Sequence, residues 1–150
     1  MNWIIKTFQE LTPQELYNIL QLRTEVFVVE QNCVFQDMDN KDSKCYHLMC
    51  LENEKLVAYT RLVPAGVSFE EVSIGRVVSS PSVRGRGFGK MLMEKSIEES
   101  DRLFGKQSIR IGAQFYLLDF YKSFGFLPDG EIYLEDDIEH IEMILHRSTQ

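Results

Sequence analysis

Runs of apolar residues along this chain change their period from strand-like to helical and back, and each change marks an element. Residues 2–8, Asn-Trp-Ile-Ile-Lys-Thr-Phe, read as a first strand. Thr12-Pro13-Gln14-Glu15 then opens a helix: an N-cap threonine, proline at the first helical position and a glutamate closing a capping box. Leu16, Ile19, Leu20, Arg23 and Phe27 form one stripe, which predicts a helix running to about Glu30. Arg23 is the odd member of that stripe; an ion pair, snorkelling at its edge or a functional role would each account for it. After a polar loop over 31–44, strands are predicted at 45–51, 56–63 and 71–79, with a turn at Asn53-Glu54. Short connections favour antiparallel pairing. Met91, Leu92, Met93, Ile97 and Phe104 return to helical spacing over 89–104, and Gly105 is a good residue to end that helix. A strand at 108–112, a helix over 114–124 closed by Gly125, and strands at 131–134 and 140–146 around Glu135-Asp136-Asp137 complete the chain. The order predicts an α/β (α+β) fold in one domain over 1–150: a mixed, largely antiparallel sheet of about seven strands with helices on both faces. The strands flanking the helix over 89–104 should be parallel neighbours joined by a right-handed crossover.

Composition narrows the function classes. The net charge of −7 argues against non-specific nucleic-acid binding, which needs a basic footprint. No apolar run approaches the roughly 18 residues of a membrane span, and no charged start precedes an apolar stretch, so a cytoplasmic protein without a membrane partner is expected. Cys33, Cys45 and Cys50 form no C-x-x-C pair and are expected as free thiols. Asp37, Asp39 and Asp42 fail as a calcium loop, because Asp42 stands where glycine is needed and Leu48 where glutamate is. No metal is expected. An acidic loop overhanging an active site would instead attract a cationic substrate.

The chemistry concentrates at Arg84-Gly85-Arg86-Gly87-Phe88-Gly89-Lys90. Strand, glycine loop and helix in succession gather bare amides at a helix N-terminus, which suits phosphate. Arg84, Arg86 and Lys90 make this a basic island in an acidic chain. A Walker A loop is excluded by Arg84 at the first glycine's place and Met91 after the lysine; a dinucleotide fingerprint is excluded by Lys90 at the third glycine's place. The stretch matches Arg/Gln-x-x-Gly-x-Gly/Ala and resembles the pyrophosphate loop of the GCN5-related N-acetyltransferases (GNAT). A second stretch, Gln114 followed by Tyr121-Lys122-Ser123-Phe124-Gly125-Phe126, resembles the same family's later motif in the right order. Leu117 stands where the family often has a small residue. Leu22–Gln31, Ile74-Gly75-Arg76-Val77 and 135–143 are similar to the ElaA-type subgroup, with Asp137-Ile138-Glu139 in place of its usual Gly-Ile-Pro.

That resemblance implies acetyl-CoA as co-substrate and a small-molecule or peptidyl amine as acceptor, in a monomer or homodimer. It places Tyr121 as the acid that protonates the leaving sulfur, and the amides of Val77 and Val78 on the pantetheine and carbonyl. Gln114 and the loop residues Arg84, Gly85, Arg86, Gly87, Phe88, Gly89 and Lys90 complete the cofactor site. Glu71 lies near where some relatives carry a catalytic glutamate, and His47 and His140 are further candidates for the base. For the acceptor pocket the candidates are Glu30, Asp37, Asp39, Arg76 and His140. Arg76 interrupts an apolar strand, so it either meets a buried carboxylate or binds a substrate carboxylate. Two other readings share these features: a non-catalytic acetyl-CoA-binding module acting through a protein partner, and an acyl-homoserine-lactone-type synthase.

Overall fold

The computed structural model describes residues 1–148. Strand β1 (Asn2–Thr7) leads into helix α1 (Pro13–Arg23) through the expected cap, where Glu15 N–H donates to Thr12 Oγ1 at 3.1 Å and Thr12 N–H to Glu15 Oε1 at 2.8 Å. The helix does not continue as a regular α-helix to Glu30. From Thr24 to Glu30 it widens into π-helical turns, with Gln31 N–H reaching Val26 O at 3.2 Å and Cys33 N–H reaching Val28 O at 3.0 Å. The β-branched run Val26-Phe27-Val28-Val29 is a poor host for tight α-turns, and such widening often borders functional sites.

Strands β2 (Tyr46–Glu52) and β3 (Lys55–Val63) form a hairpin whose turn residues, Asn53 and Glu54, both have positive φ (52° and 67°). Strand β4 begins at Ser73 rather than at Glu71 and runs to Ser79. Helix α2 (Phe88–Phe104) ends at Gly105 as expected. Strand β5 is longer than predicted, Ile109–Gln114, and it claims Gln114. The predicted helix over 114–124 therefore shrinks to a single 3₁₀ turn, Phe115–Leu117, and the short helix α3, Leu118–Lys122. The ladder with the last strand holds Gln114 extended, a tertiary constraint that overrides local helix preference. Strands β6 (Leu127–Pro128), β7 (Tyr133–Glu135) and β8 (Ile138–Leu145) follow; β6 is too short to be read from sequence.

The α/β architecture is as expected, with eight strands in two four-stranded antiparallel sheets: β1-β2-β3-β4, and β5-β8-β6 with β7 also on β8. Between the sheets β4 and β5 are parallel neighbours at one bridge, Val72 to Ile109, where Arg110 N–H donates to Val72 O at 2.9 Å. Beyond it they part. Helix α1 packs Ile19 and Leu22 on Met49, Tyr59 and Val78, while α2 packs Leu92 on Leu48 and Ala58, the alternate residues of the same strands. The α2 and α3 side also receives Ile109, Ile111 and Ala113 of β5. Among the described residues, no helix is long and apolar enough to cross a membrane. Cys33, Cys45 and Cys50 are buried and unpaired.

One polar cluster joins α1, the 37–42 loop, β3 and β4. Arg23, fully buried, donates from Nε to Asp37 Oδ2 at 2.8 Å and from Nη1 to Asp42 Oδ1 at 2.9 Å. Arg61 donates from Nη1 to Asp42 Oδ1 at 3.0 Å and holds both oxygens of Asp39, at 2.8 and 2.5 Å. Arg76 donates from Nε to Asp37 Oδ1 and from Nη2 to Asp37 O, each at 2.8 Å. Three cations thus face three anions. Burial works to raise the pKa of Asp39 and Asp42, but hydrogen bonds and charge from Arg61, joined at Asp42 by Arg23, outweigh it and hold both carboxyls below the ordinary range.

Because the folded-state values lie below an unfolded value of about 3.9, this stabilisation is present above roughly pH 4 and is lost as pH falls through the depressed values. Urea unfolding midpoints should therefore stay level down to about pH 4 and decline below it. Asp42→Asn should lower the unfolding free energy at pH 7 by about 3–5 kcal/mol, since it breaks a buried pair on one side only. A loss under about 1 kcal/mol would mean the cluster is not a structural tie.

Candidate active site

The parting of β4 and β5 opens a cleft of about 860 Å³, walled by Ile74–Ser79 of β4 and by Ile111, Gly112 and Gln114 of β5. A bulge in β4 shapes one wall. Arg76 and Val77 together stand opposite Thr60, between the pairs Tyr59 with Val78 and Arg61 with Gly75. Arg76 reaches this geometry with φ of +50°, an uncommon state for a side-chain-bearing residue, and its guanidinium is anchored by Asp37. Past the single bridge, the edge of β4 that faces β5 has no strand partner among the described residues. Val77 and Val78, expected on the cofactor, line this edge of the cleft.

At the start of α2 the glycine loop has the predicted form. Gly85 (φ 80°) and Gly87 (φ 77°) are left-handed, and a Cβ added at either would meet nothing within 4 Å. The first helical bond is Met91 N–H to Gly87 O at 3.2 Å. The amides of Gly85, Gly87, Phe88, Gly89 and Lys90 have no hydrogen-bond partner among the described residues. Bare donors at the positive end of a 17-residue helix have the chemistry that suits an anion. Phe88 contributes only its amide, because its side chain is buried against Leu48, Val83 and Leu92. The loop's cations already hold internal anions: Arg84 pairs with Glu30 through two 2.6 Å contacts, and Arg86 pairs with Glu52 at 2.9 and 2.7 Å. Lys90 is exposed, 4.0 Å from Glu94.

Across the cleft, Tyr121 of α3 lines the wall, and its hydroxyl has no hydrogen-bond partner among the described residues. Burial pushes its phenol well above the usual range, so it is protonated and able to donate. Gln114 is in β5 rather than at a helix start, and its amide exchanges hydrogen bonds with Gln31 at 3.2 and 3.4 Å, joining the end of the π-helical segment to the second sheet.

Several expected site residues belong elsewhere. Glu71 precedes β4, does not line the cleft, and has both carboxylate oxygens 3.1 Å from Arg110 Nε. His47 is fully buried: Nε2–H donates to Asp42 O at 2.9 Å, leaving Nδ1 to accept from Tyr59 Oη at 2.6 Å. Burial pushes the His47 imidazole down and keeps it neutral, so it is a structural strut and not a base. Asp37 is buried and spent on Arg23 and Arg76, away from the cleft lining. Arg76 therefore meets a buried carboxylate, the first of its two readings. Asp39 lines the cleft but is held by Arg61, and Glu30 lines it while paired to Arg84. His140 lines the cleft as expected. Gln31, Tyr133 and Glu135 also line it without having been singled out; the acidic turn hid Glu135, and nothing local marks Gln31. Among the described residues, no cluster of His, Cys, Asp or Glu is arranged to hold a metal ion.

A family model described as an acetyltransferase (GNAT) domain matches residues 7–147. The chain belongs to the GNAT acetyltransferase family. Within that family it is similar to protein ElaA of Escherichia coli, with 42% identity over 145 residues and 95% of each chain covered. The crystal structure of E. coli ElaA superposes with a TM-score of 0.89, covering 96% of this chain and 99% of that one. The crystal structure of an acyl-CoA N-acyltransferase from Pseudomonas aeruginosa superposes with a TM-score of 0.91 at 44% identity, covering 95% and 97%. An aminoglycoside 6′-N-acetyltransferase solved with coenzyme A shares the fold, with a TM-score of 0.67, 16% identity and coverage of 94% and 95%.

A pyrophosphate entering the loop must compete with Glu30 for Arg84. Exposed pairs of this kind contribute about 0.2–1 kcal/mol, so Glu30→Gln should tighten coenzyme A binding by up to roughly fivefold in calorimetric titration. Gly87→Val should cost about 1–2 kcal/mol of stability, because a side chain resists the left-handed state, yet leave the protein folded and abolish coenzyme A binding. Unchanged affinity in Gly87→Val would reduce the loop to a simple turn.

Proposed function

We propose that this protein is an acetyl-CoA-dependent N-acetyltransferase acting on a primary amine. The observation that carries this reading is one cleft lined by the open edge of β4, by the unpartnered phenol of Tyr121 and by Arg84, which leads directly into the unpartnered loop amides at the start of α2. The loop amides would receive the pyrophosphate, with Arg84 and Arg86 exchanging their carboxylate partners for it. The pantetheine would extend β4 along its open edge, with the amides of Val77 and Val78 near the thioester carbonyl, where donors stabilise a developing oxyanion. The amine nitrogen attacks the carbonyl carbon, the C–S bond breaks, and the thiolate takes a proton from Tyr121. Coenzyme A is the co-substrate when bound; the residues described here position it and supply that proton.

A thiol with pKa of about 8.5 leaves readily without help, so the acid contributes at the modest end of such effects. Tyr121→Phe should lower kcat by about 10–100-fold and leave coenzyme A affinity within a few-fold, read as thiol release from acetyl-CoA across an amine panel. If the unaltered protein binds coenzyme A but releases no thiol with any amine, the transferase reading fails and a binding module takes its place.

A further inference from the structure

The transferase reading leaves the base unassigned, and the inference that follows rests on that reading. Along β5, Ile109, Ile111 and Ala113 face the core beneath α2 and α3, where Tyr121 also lies. Gly112 and Gln114 alternate with them and face the other way, paired in the ladder with Glu142 and His140 of β8. An acceptor entering from that second face would meet the thioester opposite Tyr121. His140 is 8% exposed and lines the cleft there.

Its ring is pinned. Nδ1 lies 2.8 Å from Ile138 O, and because a carbonyl only accepts, Nδ1 carries the proton and the neutral ring presents its lone pair at Nε2. Tyr133 stacks on the ring at 5.7 Å between centroids and 29° between planes. Gly112 makes room for that stack, since a Cβ there would come within 3.0 Å of the Tyr133 hydroxyl. Nε2 is 3.5 Å from Glu135 Oε2, whose side chain is 61% exposed. A lone pair and a carboxylate so close together are both acceptors. They suit a shared cation carrying several protons, which describes a primary ammonium group.

Of the other cleft-lining carboxylates, Asp39 is held by Arg61 and Glu30 by Arg84, while Asp136 follows Glu135 in the turn and makes no ion pair among the described residues. Around His140 the charged and titratable groups are Tyr133 and Glu135 on β7, Asp136 in the following turn, Glu142 two residues along β8 and held by Arg110, and the Cys33 thiol, which donates to Asp136 O at 3.2 Å; Gln114 of β5 is neutral.

We propose that His140 is the general base, with Glu135 as the anion that binds the acceptor ammonium beside it. Nε2 takes one proton from the ammonium, and Glu135 stabilises the imidazolium that results. The freed nitrogen lone pair forms the C–N bond as the C–S bond breaks. The amide nitrogen loses its second proton to solvent, His140 releases its proton to solvent, and Tyr121 is reprotonated from solvent after supplying the thiolate.

Two measurements test this. The chain has three histidines, so long-range ¹H–¹⁵N NMR can assign the His140 tautomer in the protein without acceptor. A protonated Nδ1 with bare Nε2 is expected; a protonated Nε2 in the neutral ring overturns the proposal. Thiol release from acetyl-CoA is then followed against pH with spermidine, phenethylamine and an alanyl peptide as acceptors. His140→Gln should lower kcat/KM by about 100-fold or more and abolish its fall on the acid side, with coenzyme A affinity unchanged. Glu135→Gln should raise KM for the amine, because the ammonium loses its anion. If the unaltered protein turns over while His140→Gln keeps its rate and pH profile, the base assignment alone falls. If the unaltered protein releases no thiol with any of the three amines, the transferase reading falls and takes this proposal with it.

Discussion

Three arginines locked to three aspartates form the constraint on which the rest of this structure hangs. Arg23 comes from α1, Arg61 from β3, Arg76 from the β4 bulge, and Asp37, Asp39 and Asp42 from one loop. Taking six charges out of water is expensive, and only near-complete mutual hydrogen bonding makes such a cluster tolerable. In return it fixes position. The loop over 37–42 cannot move without stripping partners from two strands and a helix together. His47 and Tyr59 extend the lock into the core through the Asp42 carbonyl.

The lock bears directly on the cleft. Arg76 is the bulged residue, and the anchoring of its guanidinium by Asp37 offsets the cost of its left-handed backbone. The bulge, together with the solitary bridge at Val72, is what parts β4 from β5. An open parallel edge inside a protein is normally a liability. Here it supplies unpaired backbone groups along one wall of a cavity that Arg84 and the Tyr133–His140 stack also line.

Charge around the glycine loop is organised in internal pairs. In a chain of net charge −7, the cations of the phosphate loop do not wait unpaired; Glu30 and Glu52 occupy Arg84 and Arg86. An incoming pyrophosphate carries more charge and more acceptor atoms than a single carboxylate, so the exchange can favour it while the empty site stays neutralised. Glu30 sits at the end of the π-helical segment that also carries Gln31, the residue paired with Gln114 across the sheets. One short segment thus touches both the glycine loop, through Glu30 and Arg84, and the second sheet, through Gln31 and Gln114.

What the sequence determined by itself is what local chemistry encodes. The capping box at Thr12, the Asn53-Glu54 turn, the glycine loop ahead of α2 and the Gly105 stop each depend on residues a few positions apart, and each formed as read. The family motifs were equally local, and an ion pair was one of the three readings open for Arg23 on its apolar stripe. Tertiary structure decided the rest, because the deciding partners are far apart in the chain. Gln114 became a strand residue through its ladder with β8, and one sheet became two where a single bridge replaced a full parallel pairing. Asp37 and Arg76, Glu71 and Arg110, and His47 and Tyr59 each found the other across many residues, which turned candidate acceptor-binding and catalytic groups into struts. Glu135 and His140 are close in sequence, yet only the β7–β8 hairpin brings the carboxylate to the imidazole, and only the parting of the sheets gives that pair a cleft to face.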